Sequence, residues 1–167
     1  MSTKHKIGLP PEEHERRFAP KKLPKSLGRL IQVSYIIQGY LEDEKRTRVR
    51  MECIGTKIEY TRTRKEGHGI SRIEREIEIA EKTFQKRFAE AKCVLKKTRL
   101  MYEKGGIILE LNLFFDELAG YFQIEIEFTS NKAARAFKPP KWLLPEVTHD
   151  SSHGNYSLSK FGRPKGY

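Results

Sequence analysis

Polar and apolar residues alternate with period two along most of the chain, the mark of strands whose two faces meet different surroundings. The alternation predicts strands near residues 12–18, 31–41, 47–53, 57–65, 72–79, 93–102, 107–115 and 120–129. Turn-forming residues separate them: Glu42-Asp43, Gly55, Glu66-Gly67-His68-Gly69, Gly105-Gly106 and the stretch from Asp116 to Gly120. Two segments break the pattern. Ala80 to Ala91 spaces Phe84, Phe88 and Ala91 at helical intervals among charges, which predicts an amphipathic helix with its aromatic stripe against the core. Ser130 to Phe137 opens on an N-cap serine and closes before Pro139-Pro140, a second short helix. A third, weaker helical segment follows Asp150, and Trp142, between Pro140 and Pro145, reads as a packed closing element. Eight strands with few helices define an α+β fold. A sheet of that size, closed into an eight-stranded antiparallel β-barrel with flanking helices, would leave no exposed edge.

Splitting each strand into its two faces yields rows of unusual charge. One face carries Glu13, Glu15 and Arg17 in the first strand, Arg48, Arg50 and Glu52 in the third, and Arg72, Glu74, Glu76 and Glu78 in the fifth. Lys97 and Arg99 lie on one row of the sixth strand, Glu110 and Asn112 on one row of the seventh, and Glu125 and Glu127 on one row of the eighth. Two arrangements fit. The charged rows can face water around an ordinary apolar core, with ion pairs worth under ~1 kcal/mol each. Alternatively they face inward across a barrel, where only a ligand or water could neutralise them. Facing carboxylates would attract a hard divalent cation, and facing Lys/Arg would attract phosphate oxygens. Alternation alone leaves both open.

Composition narrows the setting. With 167 residues the chain has room for one domain with a real core. Its two cysteines, Cys53 and Cys93, stand far apart, which excludes a disulfide framework or thiolate zinc site and fits a reducing cytoplasm. No stretch has the ~20 apolar residues of a membrane span. The net charge of +11 raises nucleic acid as a partner. However, residues 1–29 hold eight Lys/Arg against three Glu, and residues 160–167 hold three Lys/Arg and no acid. The excess thus sits at the ends, as in loose electrostatic attraction, and nucleic acid is a weak candidate. Residues 1–11 read as a flexible basic tail, 12–164 as one domain and 165–167 as a short C-terminal tail. His149 and His153 lack further metal ligands nearby and read as surface residues.

An ordered set of short motifs then resembles a known family. Glu13-His14-Glu15-Arg16-Arg17-Phe18 is similar to its opening E-x-E-x-K followed by Phe, and Gln38-Gly39-Tyr40-Leu41 matches Q-G-Y-L. Arg48-Val49-Arg50 matches R-x-R, Thr63-Arg64-Lys65 matches T-x-K, and Arg72-Ile73-Glu74-Arg75-Glu76 matches R-x-E-x-E. Lys97-Thr98-Arg99 and Glu125-Ile126-Glu127-Phe128 match K-x-R and E-x-E-F. The tail from Pro140-Lys141-Trp142 through Glu146-Val147-Thr148-His149-Asp150 and Asn155 to Gly162-Arg163-Pro164 follows the C-terminal signature. The chain thereby resembles the CYTH superfamily, the triphosphate tunnel metalloenzymes, from about Glu13 to Pro164.

The resemblance implies a closed eight-stranded tunnel with the charged rows inside, and a metal-dependent triphosphatase acting on inorganic or small organic triphosphate. A class IV type adenylyl cyclase and a non-catalytic polyphosphate or nucleotide binder are its alternatives. It implies that Arg17, Arg48, Arg50, Lys65, Lys97 and Arg99 bind phosphate oxygens. Glu13, Glu15, Glu74, Glu76, Glu125 and Glu127 would hold Mg²⁺ or Mn²⁺, with Asn112 a weaker seventh ligand. Tyr40 and Lys65 would help to activate water. A triphosphate-containing small molecule is the implied partner, and a homodimer is a further expectation. The chain departs from the pattern at Arg17 for Lys, Asn112 for Asp and His153 for Tyr. Guanidinium does not substitute simply for ammonium, and a neutral amide weakens a metal site.

Overall fold

The computed structural model describes residues 12–41, 47–66 and 71–167, with the side chains of residues 12, 13, 65, 66 and 71–74 outside the description. The tail at 1–11 and the turns expected at Glu42-Asp43 and Gly67-His68-Gly69 lie outside the described residues. Eight strands form in chain order: β1 (Glu12–Phe18), β2 (Arg29–Leu41), β3 (Thr47–Ile54), β4 (Lys57–Glu66), β5 (Ser71–Glu78), β6 (Cys93–Lys104), β7 (Ile107–Phe114) and β8 (Phe122–Phe128). Three helices accompany them: α1 (Glu81–Ala89), α2 (Asn131–Ala136) and α3 (Asn155–Phe161). The expected cap is present, since the Ser130 side chain accepts a hydrogen bond from the Ala133 N–H.

All strand pairs are antiparallel, in the order β1-β5-β4-β3-β2-β6-β7-β8. β1 also pairs with β8 from His14↔Phe128 to Phe18↔Ile124, so each strand has a neighbour on both sides of the barrel. The β1–β5 seam is the shortest, running only from Glu12↔Ile73 to His14↔Ser71. Beyond it a C-terminal segment takes over the free edge of β1. The Val147 N–H donates to the Arg17 carbonyl, the Ala19 N–H donates to the Pro145 carbonyl, and Phe18 bridges Glu146. Arg16 fastens this segment from outside. Its guanidinium donates to both oxygens of Glu146 and to the Ala134 and Phe137 carbonyls, and it lies over the Phe18 and Phe137 rings.

Helices cover parts of the outer, apolar face. α1 lays Phe84 and Phe88 against Leu41, Val49, Met51 and Tyr60. Gly39 is needed there, because a Cβ would stand 2.7 Å from the Ala91 Cβ and 3.0 Å from the Phe88 ring. On the other side Phe18, Leu109, Leu111, Ile124, Ile126 and Leu143 form the largest core, with Phe137 and Trp142 packed on it. Trp142 is thus the closing element its neighbouring prolines suggested. A third cluster sits at one end of the barrel, where Leu95, Phe114, Leu118 and Tyr121 meet Leu158 of α3. Tyr156 of α3 also packs edge-on against Tyr40. That end is closed by apolar side chains.

Candidate active site

The charged rows are on the inside. Arg17, Arg48, Lys97, Asn112, Gln123 and Glu125 are all buried, which rules out the solvated-face arrangement for these strands. Register explains how they meet. Arg17 stands opposite Glu125, Glu15 opposite Glu127, Glu110 opposite Glu125, Arg99 opposite Asn112, and Tyr40 opposite Arg48.

Glu125 is the hub of one wall. One carboxylate oxygen accepts from Arg17 Nε at 3.0 Å, and the other accepts from Arg99 Nη2 and Asn112 Nδ2, both at 3.0 Å. Burial alone would raise its pKa; Lys97, Arg17 and Arg99 outweigh that and hold it well below the usual carboxylate range. Arg17 also reaches Glu15 at 2.7 Å. Burial works against its charge, but Glu15 and Glu125 prevail and raise its pKa. Arg99 is likewise raised, against the pull of burial, by Glu110 at 2.7 Å and by Glu125. The Glu110 carboxyl is itself raised, by burial first and by Glu125 in addition, with Arg99 opposing.

The opposite wall is short of negative charge. Arg50 is lowered by burial and then by Arg48 and Arg99, although Glu52 lies 3.7 Å away. Arg48 faces Glu76 at 3.9 Å, and Thr63 donates to the same carboxylate at 2.7 Å. Lys97, two residues from Arg99 on the inner face of β6, is the extreme case of crowded positive charge. It is 0% exposed, and its Nζ has no hydrogen-bond partner among the described residues. Burial, then Arg99 and Arg50, push its pKa well below the ordinary lysine range despite Glu125 and Glu110. The Tyr40 hydroxyl accepts from Gln38 Nε2 at 2.6 Å, and burial pushes its pKa up to about 12 against Arg48 and Arg50.

The structure therefore brings Arg17, Tyr40, Arg48, Arg50, Lys97, Arg99, Asn112 and Glu125 to one interior, which the exposed Glu76 joins through Arg48 and Thr63. Glu15 joins it through Arg17, and Glu127 joins it by register opposite Glu15. Lys65 pairs with Glu74 in the β4–β5 register, and Glu13 pairs with Arg72; the side chains of Glu13, Lys65 and Glu74 are outside the description. Asn112 uses Oδ1 to accept from Arg99 Nε and Nδ2 to donate to Glu125, so both its polar atoms already serve the ion-pair wall. Among the described residues no three acidic, His or Cys side chains form a ready cation cluster.

The sequence places Glu110 in a charged row without assigning it a role, and Gln123 and the partner of Gln38 are not singled out by it. Their membership in the same face rows as Asn112, Glu125 and Tyr40 is the signal that could have found them. His153, expected at the surface, is not there. It is buried at the barrel end, where its Nδ1 lies 2.5 Å from the Tyr121 hydroxyl and its ring meets Tyr167, whereas His149 is exposed. The sequence clue was Tyr121, too distant in the chain to be linked to it. The Tyr121 hydroxyl accepts from Gln123 Nε2 at 2.7 Å and shares a second hydrogen bond with Nδ1, whose direction follows the imidazole tautomer.

Burial lowers the His153 pKa, with Asp150 opposing and Arg17 and Lys21 assisting. Its folded value is below its unfolded one, so the unfolded chain binds more protons on acidification. Stability should fall as pH drops from about 6.5 through the folded pKa. Melting temperature measured against pH should show this fall, and His153→Gln, which keeps an acceptor for Tyr121, should flatten it.

An antiparallel barrel with cations and carboxylates on facing inner walls and one end closed is the architecture of a polyanion-binding tunnel. Comparison with known proteins gives the family. An inorganic triphosphatase of Nitrosomonas europaea is 37% identical over 153 residues, spanning 88% of this chain and 96% of the relative. The chain belongs to that family, the triphosphate tunnel metalloenzymes of the CYTH superfamily. A solved inorganic triphosphatase superposes with a TM-score of 0.62 at 30% identity, covering 91% of this chain and 97% of the other. A Hippeastrum protein described as an adenylyl cyclase with a dominant triphosphatase activity has a TM-score of 0.60 at 15% identity, covering 91% and 97%, a likeness of fold alone. No family model matches the chain. No helix among the described residues is long and apolar enough to cross a membrane.

Proposed function

We propose that this protein is a divalent-metal-dependent triphosphatase that hydrolyses inorganic triphosphate, or a small organic triphosphate, inside the barrel acting as a closed tunnel. The observation that supports this most is Lys97, a buried ammonium group without a hydrogen-bond partner among the described residues, beside Arg50 and Arg99. Such crowded cations repel one another until a polyanion enters, and a triphosphate supplies several oxygens to Lys97, Arg48, Arg50 and Arg99 together, with Arg17 and Lys65 as further contacts. The two free cysteines suit the cytoplasm we infer for it.

The donor set fits a hard cation. Glu15 opposite Glu127, and Glu110 opposite Glu125, put carboxylate oxygens on three adjoining strands. With no ready cluster among the described residues, Mg²⁺ or Mn²⁺ would be held by Glu15, Glu125 and Glu127, with Glu13, Glu74 and Glu76, sharing the oxygens of the triphosphate itself. When bound, the ion supplies Lewis-acid polarisation of a phosphoryl oxygen. The chain's own groups do the rest. The basic row fixes the phosphates for in-line attack and offsets developing charge. Tyr40 keeps its proton at neutral pH and can orient water by donation. Asn112, locked between Arg99 and Glu125, orients the guanidinium rather than the ion.

The test is phosphate release from tripolyphosphate, ATP and thiamine triphosphate with each metal. Glu15→Ala and Lys65→Ala should each lower turnover by about 10²-fold or more while circular dichroism stays native. Wild-type turnover in either variant would sink the proposal. Cyclic AMP formed from ATP would assign a cyclase instead, and tight binding without turnover under both metals would assign a binder.

A further inference from the structure

One layer inside the tunnel carries polar atoms that phosphate binding does not use. On four strands, two residues along the same inner face from a side chain of the closed end, lie Gln38 (from Tyr40), Lys97 (from Leu95), Asn112 (from Phe114) and Gln123 (from Tyr121). All four are 0% exposed. Lys97 offers donors to the ligand, and Asn112 is fully engaged by the ion-pair wall. The two glutamines are engaged on one side only. Gln38 Nε2 donates to the Tyr40 hydroxyl at 2.6 Å. Gln123 Nε2 donates to the Tyr121 hydroxyl at 2.7 Å and to the His153 carbonyl at 2.8 Å. A carbonyl oxygen only accepts, so the orientation of the Gln123 amide is fixed. The Tyr40 hydroxyl can donate as well as accept and so does not by itself fix the Gln38 amide; in the structure it accepts from Nε2. Both Oε1 atoms are then left without a partner among the described residues.

Ionised phosphate oxygens cannot satisfy these two atoms, because they too only accept. The layer needs a small hydrogen-bond donor between the basic row and the apolar closed end, and water is the donor the reaction requires. We propose that Gln38 and Gln123 are positioning residues for the attacking water, their Oε1 atoms accepting its hydrogens at the inner end of the tunnel. The inference rests on the triphosphatase reading. With its hydrogens held, the water turns a lone pair toward the terminal phosphoryl group carried by Lys97. Its oxygen bonds to phosphorus as the bridging P–O bond breaks, and that electron pair leaves on diphosphate. The displaced proton passes to the phosphate products, the amides being too weakly basic to keep it. Tyr121 and His153 belong to the same device, since they clamp Gln123.

Gln38→Leu and Gln123→Leu remove the acceptors at similar volume, and Gln123→Met is the substitute if the leucine variant does not fold. Each should lower kcat for tripolyphosphate by about 10²-fold while KM stays within about twofold, as expected for a misplaced reacting group. A raised KM at unchanged kcat would make the glutamine a substrate contact and overturn the inference, as would unchanged kinetics. The second arm does not depend on turnover. A high-resolution crystal structure of the wild-type protein should show ordered water within hydrogen-bond distance of each Oε1, lost at position 123 in the leucine variant; a protein donor in its place overturns the inference. Absent wild-type turnover would remove the triphosphatase reading, and the crystal structure would still decide the water.

Discussion

Lys97→Met should cost about two to three orders of magnitude in triphosphate turnover and at the same time raise the melting temperature of the ligand-free protein. The two effects share one cause. Lys97 is buried, its Nζ has no hydrogen-bond partner among the described residues, and its strand neighbours on the inner face are the apolar Leu95 and the cationic Arg99. Holding an ammonium group there is unfavourable without ligand, and methionine fills the same volume without the charge. A chain of this length gains about 2–4 °C per kcal/mol. Removing the ammonium removes a donor aimed at developing phosphate charge, hence the lost rate. The pH dependence separates this account from simple repacking. The folded pKa of Lys97 is depressed, so between that value and 10.5 the unfolded chain binds more protons and wild-type stability rises with pH. The gap in melting temperature between Lys97→Met and the wild type, followed by calorimetry, should therefore narrow as pH is raised toward 10.5.

Glu125→Ala should be the most destabilising single change in the interior. It orphans Arg17, Arg99 and Asn112 at once, each left with a buried donor that had faced a carboxylate. Removing one partner of a buried ion pair costs about 3–5 kcal/mol, which at this length lowers the melting temperature by about 6–20 °C. Glu125→Gln, which keeps an acceptor oxygen, should fall between the wild type and alanine. The acid limb of wild-type stability carries the same signature. The folded pKa of Glu125 is depressed, so its stabilisation is present above the ordinary value of 4.5 and is lost as pH falls through the folded pKa. Alanine should blunt that limb. A calorimetric scan in which Glu125→Ala melts with the wild type would show that the hub is replaceable.

Alternation placed all eight strands within a few residues, and the aromatic stripe of α1 and the Ser130 cap of α2 followed from local rules. These features are legible because side-chain period and capping act over a few neighbouring residues. Which face of each strand is the inner one was not legible, because a charged row beside water and a charged row around a ligand have the same period. Only the ordered motifs tipped that choice. Asn112 shows the limit on the motif side. By position it resembles a metal ligand, yet its amide bridges Arg99 and Glu125, from strands β6 and β8 on either side of its own.

The strands, the charge rows and the family likeness are all set by residues near one another or in a fixed order along the chain. The tertiary structure decided what those rows surround and how they are partnered. His153 is the sharpest case. Thirty-two positions separate it from Tyr121, and burial at the barrel end sets its imidazole on the Tyr121 hydroxyl and its backbone carbonyl on Gln123. Burial and partner choice depend on strand register and on where the C-terminal segment closes the barrel. Both are sums of many long-range contacts that no local pattern encodes.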